Sequence, residues 1–175
     1  MGSPFHIWLR IKVTNSGKSV AKDVYAKLLS FKADGTMIYP FNPFRLRWTS
    51  SGYSHGDLIN GEPEYLNLAT IIGNDVVTPT NRLVEGIPIG DPNNSTGQSG
   101  VAGMDLSLYD LALHSRFEFH VILGGVNIKT SEYIFIVDIK LCQTPPKTAN
   151  SNFKLEDIQK CLEFSITKLE PAFAL

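Results

Sequence analysis

The chain has 175 residues and a net charge of −1 from 16 basic and 17 acidic residues. That is long enough to bury a self-sufficient core in one domain, and it carries no basic excess to draw a phosphate backbone, which excludes nucleic acid as an expected partner. Composition is that of a globular domain rich in turns, with 43% hydrophobic and 19% charged residues, 14 Gly and 10 Pro. No apolar run approaches the roughly 20 residues of a membrane-spanning helix, and no polybasic cluster faces an anionic bilayer, so no direct membrane insertion of this segment is expected.

Residues 1–4 read as a cloning remnant and residues 5–175 as a single domain taken from a longer protein, with no signal-peptide layout near Met1. Ile7, Leu9, Ile11 and Val13 fall on one face of a strand, and His6, Trp8, Arg10 and Lys12 on the other. Asn15–Ser19 is turn chemistry, with Gly17 free to take positive φ. Val20–Phe31 is a second strand with Val20, Val24, Ala26 and Leu28 on one parity, and Ala33-Asp34-Gly35 turns it into a hairpin continued by Thr36–Tyr39. Pro40 and Pro43 interrupt the pattern, Arg45–Thr49 resumes it, Ser50–Gly61 reads as a loop, and Tyr65–Ile72 is strand-like. Residues 73–103 form a loop-rich insertion, with Gly90–Gly103 expected as its most mobile part. Met104–His114 fits neither helix nor strand period cleanly. Arg116–Leu123 and Ser131–Leu141 alternate strongly, Leu155–Lys160 suits one helical turn, and Leu162–Leu169 closes the chain as a strand. The pattern predicts an all-β fold: an immunoglobulin-like antiparallel β-sandwich of seven to nine strands with a long insertion loop. Its expected core includes Ile11, Val13, Val24, Trp48, Phe119, Phe135 and Val137.

The stretch Ile11-Lys12-Val13-Thr14-Asn15-Ser16-Gly17-Lys18-Ser19-Val20-Ala21-Lys22-Asp23-Val24 resembles the opening of bacterial and archaeal immunoglobulin-like domains of the CARDB (cell-adhesion-related) type, which begin apolar-x-V-x-N-x-G-x-x-x-A-x-x-V. The likeness spans about residues 8–31. The 73–103 insertion departs from a compact member, and the paired cysteines that flank a core Trp in antibody domains are absent. The resemblance implies an accessory module of a multidomain surface or membrane-anchored protein.

Candidate chemistry is sparse. His114, Arg116, Glu118 and His120 recur at every second position, so they share one strand face that suits an anion or a metal, or simply meets water opposite Phe117 and Phe119. His114 and His120 are six residues apart, ~20 Å along a strand, which is too far for one ion. Trp8 shares parity with Arg10 and Lys12 and reads as a surface aromatic. His55-Gly56-Asp57 is an isolated acid–base fragment in a loop, and no nucleophile elbow, P-loop or dinucleotide-binding pattern occurs. Cys142 and Cys161, 19 apart, either pair or remain thiols, and make no zinc spacing. Tyr39, Phe41, Phe44, Trp48 and Tyr53 serve either as sandwich core or as sugar-stacking platforms.

The expectation is a non-enzymatic interaction or accessory module with no catalytic residue, no metal and no cofactor. Its ligand-binding candidates are His114, Arg116, Glu118, His120 and Trp8. Its partners would be a protein or neighbouring domains of the same chain. A carbohydrate-binding module of sandwich fold is the alternative, and a hydrolase built from the 50–61 and 90–103 loops is a weaker one. The resemblance favours the cell envelope, with the cytoplasmic side of a membrane-anchored protein also compatible.

Overall fold

The computed structural model describes residues 5–37, 43–51, 53–73, 104–107, 114–140, 160 and 162–169. Within them the chain is mostly antiparallel strand. The strands are β1 (Phe5–Thr14), β2 (Ala21–Ala33), β3 (Thr36–Met37), β4 (Phe44–Arg45), β5 (His55–Leu58), β6 (Pro63–Gly73), β7 (Met104–Ser107), β8 (Arg116–Gly124), β9 (Ser131–Ile139) and β10 (Leu162–Leu169). A small sheet runs β1-β6-β7, and a large one runs β10-β9-β8-β2-β3, with β4 and β5 also paired to β2. Among the described strands β6 and β7 pair in parallel and the other pairs are antiparallel.

Strand β2 is the centre of the large sheet, with β8 on one side and the short strands β5, β4 and β3 in succession on the other. Its burial does not follow simple alternation. Register shifts lie between Ala21 and Val24 and between Leu28 and Ser30. The buried set is therefore Ala21, Val24, Ala26, Leu28, Phe31 and Ala33, and Val20 stays exposed. Each bulge adds one residue and moves the following side chains to the other parity.

The segment after β3 links the sheets. Phe44 and Arg45 pair with β2, and the Leu46 amide donates to the Ala26 carbonyl at 2.9 Å. Three residues later the chain has changed sheets: the Thr49 amide donates to the Tyr65 carbonyl at 2.8 Å, and Trp48 pairs with Leu66. The buried Trp48 indole donates back to the Val24 carbonyl at 3.1 Å. One residue thus has its backbone on β6 and its ring hydrogen-bonded to β2, which satisfies the buried N–H. Residues of both sheets, including Leu9, Ile11 and Leu66 of the small one and Leu28, Phe31, Phe117 and Phe119 of the large one, form a single hydrophobic cluster.

The turns obey local chemistry. Asn15 accepts from the Gly17 amide at 2.9 Å and donates to the carbonyls of Ser19 (2.7 Å) and Leu58 (2.9 Å). Asp34 and Gly35 both take positive φ, as a tight hairpin turn requires.

Several expectations need correction. Val13 and Phe135 are half-buried beside the core and not within it. Val13 sits opposite Glu64 near the end of the β1–β6 ladder, and Phe135 lies on β9 next to the edge strand. Ser50–Gly61 is not all loop, because His55–Leu58 pair with β2 as β5. Met104–Ser107 is a strand. The described residues hold ten strands, against the expected seven to nine. Gly90–Gly103, all of the expected helical turn Leu155–Lys160 except Lys160, and Cys142 and Cys161 lie outside the described residues.

Candidate functional site

Arg116, Glu118 and His120 lie on the face of β8 opposite Phe117, Phe119 and Val121, whereas His114 falls before the strand with its ring edge-on to Phe117 at 5.7 Å, and the structure pairs all four with a neighbour. Arg116 Nε is 3.2 Å from Asp138 Oδ1 on β9 and 4.0 Å from Glu118 Oε1. Glu118 also meets Lys32 of β2 at 3.8 Å. His120 Nε2 is 2.7 Å from Glu132 Oε2. His114 Nδ1 is 2.9 Å from Asp34 Oδ2. Lys32–Glu118 and Arg116–Asp138 are direct cross-strand pairs and His120–Glu132 is a diagonal one, positions where opposite charges stabilise modestly.

Asp34 is the most heavily bonded carboxylate described. Besides His114 it accepts from the Ser115 amide (2.9 Å), the Ser115 hydroxyl (2.8 Å) and the Arg116 amide (3.0 Å). Desolvation raises its pKa, but the bonds from the Ser115 hydroxyl, His114 and the two amides outweigh that and bring it down to about 2. Asp34 thereby ties the β2–β3 turn to the start of β8. That is a structural role for the His114 end of the row.

Trp8 is not brought to this row. It projects from β1 in the other sheet, opposite Thr70, and is 36% exposed. The Arg10 guanidinium lies 5.5 Å from its ring centroid, and Arg10 Nε donates to Asn67 Oδ1 at 3.2 Å. The predicted site residues therefore occupy two separate surfaces. Of the aromatic cluster, Phe44 and Trp48 are buried, Tyr53 is exposed, and Tyr39 and Phe41 lie outside the described residues. Among the described residues no three His, Cys, Asp or Glu side chains gather to hold a metal ion.

Two features were not foreseen. The first is the outer strand β10, which pairs only with β9 among the described residues. Its Phe164 and Ile166 stand opposite Val137 and Phe135, so they continue the core face of the sheet, yet they are 61% and 64% exposed. Alternation in 162–169 was visible, but nothing in one strand reports whether a second sheet covers it.

The second is a cleft of about 410 Å³ near the other edge of the same sheet, lined by Asp23, Tyr25, Arg45, His55, Gly125 and Val126. Its residues come from the β2 bulge, β4, β5 and the β8–β9 turn. The Arg45 guanidinium stacks 4.8 Å from the Tyr25 ring centroid. Asp23 is held at φ 53, with its amide donating to Asp57 Oδ1 at 2.9 Å. The signal in sequence was the His55-Gly56-Asp57 fragment, but His55 makes no hydrogen bond to a carboxylate among the described residues, and Asp57 serves the bulge instead. Comparison of the chain with family models, curated proteins and solved structures found no match in any of the three.

Proposed function

We propose that this chain is a non-enzymatic interaction module, an immunoglobulin-like β-sandwich that serves as an accessory domain of a larger surface or membrane-anchored protein. The fold reading is supported by the strand pairing. β1 pairs with β6, whereas β2 pairs with β8 and β8 with β9. β1 and β2, neighbours in sequence, thus lie on different sheets and each pairs with a later strand, as B does with E and C with F in the ABED and CFG sheets of immunoglobulin domains. The likeness of residues 11–24 to CARDB-type openings supports the same reading.

The observation that carries the function is the outer edge of β10. Eight residues run in unbroken register with β9, with no bulge and no proline, and Phe164 and Ile166 are exposed on the face that continues the core. Proteins that keep an edge free blunt it with such devices. An extended segment added to this edge would gain backbone hydrogen bonds and cover both side chains, which is recognition by strand addition. The partner is a strand from a neighbouring domain or from another protein. A photo-reactive residue at Ser165, the middle of β10, should cross-link one defined extended segment in cells that make the parent protein. Phe164→Lys combined with Ile166→Lys should abolish that adduct. The same adducts from a probe at the exposed Lys18, on the β1–β2 turn, would overturn the reading.

A further inference from the structure

The cleft beside the β2 bulge combines charges and polar groups that the fold leaves uncompensated. Arg45 on β4 stands directly opposite Lys27 on β2. Like charges in that position destabilise a sheet. Among the described residues, none of Arg45, Lys27 and His55 has a carboxylate within ion-pair distance. The ion pairs of the large sheet go to other residues, so the Arg45 and Lys27 cations are left at this edge without a paired carboxylate among the described residues.

The Arg45 guanidinium is also held in place. It stacks on the Tyr25 ring, and none of its N–H groups meets a protein acceptor among the described residues. Stacking fixes the plane of a planar fork whose geometry matches a carboxylate. The bulge supplies the complementary chemistry. Bulges re-aim side chains, and this one places Asp23, at positive φ, in the cleft lining. Its carboxylate, the His55 ring and the Tyr25 hydroxyl have no side-chain hydrogen bonds within the described residues.

We propose that the cleft binds a small hydroxylated carboxylate, with Arg45 taking the carboxylate and Asp23, His55 and Tyr25 Oη taking the hydroxyls. Lys27 adds positive potential without lining the site. A dianionic phosphate fits less well, because Asp23 would face it. A neutral sugar fits less well, because Arg45 and Lys27 would stay uncompensated. The volume of about 410 Å³ lies within the range of small-molecule sites. The chemistry is shared by a uronic-acid sugar and a free hydroxy acid. The site takes its residues from β2, β4, β5 and the β8–β9 turn and none from β10, and the inference does not depend on strand addition there.

Calorimetric titration of the 175-residue chain with glucuronate, glycolate, glucose and acetate tests it. Glucuronate or glycolate should bind at least ~10-fold tighter than glucose and acetate, and Arg45→Gln should weaken that binding ~10-fold or more. Tighter binding of glucuronate assigns a sugar, and tighter binding of glycolate assigns a free hydroxy acid. Arg45→Lys keeps the charge and loses the fork. It should also weaken binding, which keeps the test decisive if Arg45→Gln unfolds. Amide shifts on titration should centre on Gly125 and Val126. The proposal is overturned if acetate matches the hydroxylated ligands, if none of the four binds at millimolar concentration, if both Arg45 variants bind like wild type, or if the shifts lie elsewhere.

Discussion

Strands β8 and β10 belong to one sheet and alternate alike, yet one lies at the heart of the molecule and the other at its margin. Two cross-strand rows make the comparison direct. One runs Ala33, Phe117, Val137, Phe164, and the other Phe31, Phe119, Phe135, Ile166. All eight side chains are on the same face of the sheet. At the β8 end Phe117 and Phe119 are fully buried, with Phe31 stacked 5.6 Å from Phe117 and tilted against Phe119 at 4.9 Å. Phe135 is half-buried, and at β10 Phe164 and Ile166 lie open. The sheet is wider than the cover the described residues give it. Position within the sheet, and not the strand's own pattern, decides what an apolar side chain contributes.

The largest expected effect probes the covered end. Phe119→Ala should cost about 3–5 kcal/mol in denaturant titration, because a ring enclosed by Phe31 and its neighbours leaves a cavity. Phe135→Ala should cost distinctly less, and a cost equal to that of Phe119→Ala would show that the cover extends over β9.

Both ends of β8 are clamped, and the clamps give intermediate effects. A Cβ at Gly125 would stand 2.9 Å from the Lys22 carbonyl oxygen and 3.1 Å from Ile128 Cγ1. Backbone cannot swing aside as a side-chain tip can, so Gly125→Ala should lower stability by about 1–3 kcal/mol. At the other end Asp34→Ala removes four accepted bonds and should cost about 1–2 kcal/mol, toward the lower end of charged hydrogen bonds because the carboxylate is partly exposed to solvent. Asp34 also sets a pH dependence. Its pKa is lowered on folding from 3.8 to about 2, so the folded state binds fewer protons in that interval. Its contribution is complete above pH 3.8 and is lost as the pH falls through about 2. Asp34→Asn should flatten the fall in melting temperature across that window, and an unchanged slope would show that the clamp does not hold in solution.

The smallest effect tests the open end. Phe164→Ser and Ile166→Ser in the isolated chain should each change stability by no more than about 0.5 kcal/mol, as for exposed sites without special contacts. A larger loss would mean that the edge is already covered.

Much of this was legible in the residues. Phe117, Phe119 and Val121 announced β8, Asn15 and Gly17 the first turn, and Asp34-Gly35 the hairpin, because alternation and turn chemistry act between near neighbours in the chain. Arg116, Glu118 and His120 of the polar row were legible as a face of β8, but that His114 falls before the strand was not. The row's pairing with Asp34, Glu132 and Asp138 was not either, since those partners arrive through strand register. The cleft was less legible still. It needs the bulge at Asp23, the stacking of Arg45 on Tyr25 and the pairing of His55 with β2, residues spread over more than thirty positions of the chain.

By itself, then, the sequence determined that the chain is built of strands, where most of them lie, and which residues share a face of each. Tertiary structure alone decided which strands pair, where β2 bulges, how Trp48 joins the two sheets, and that Phe164 and Ile166 are left open. The physical reason is range: side-chain alternation and turn preference are set by adjacent backbone geometry, whereas burial and register depend on which distant strand arrives alongside, and the residues of one strand do not encode the extent of the surface that will cover it.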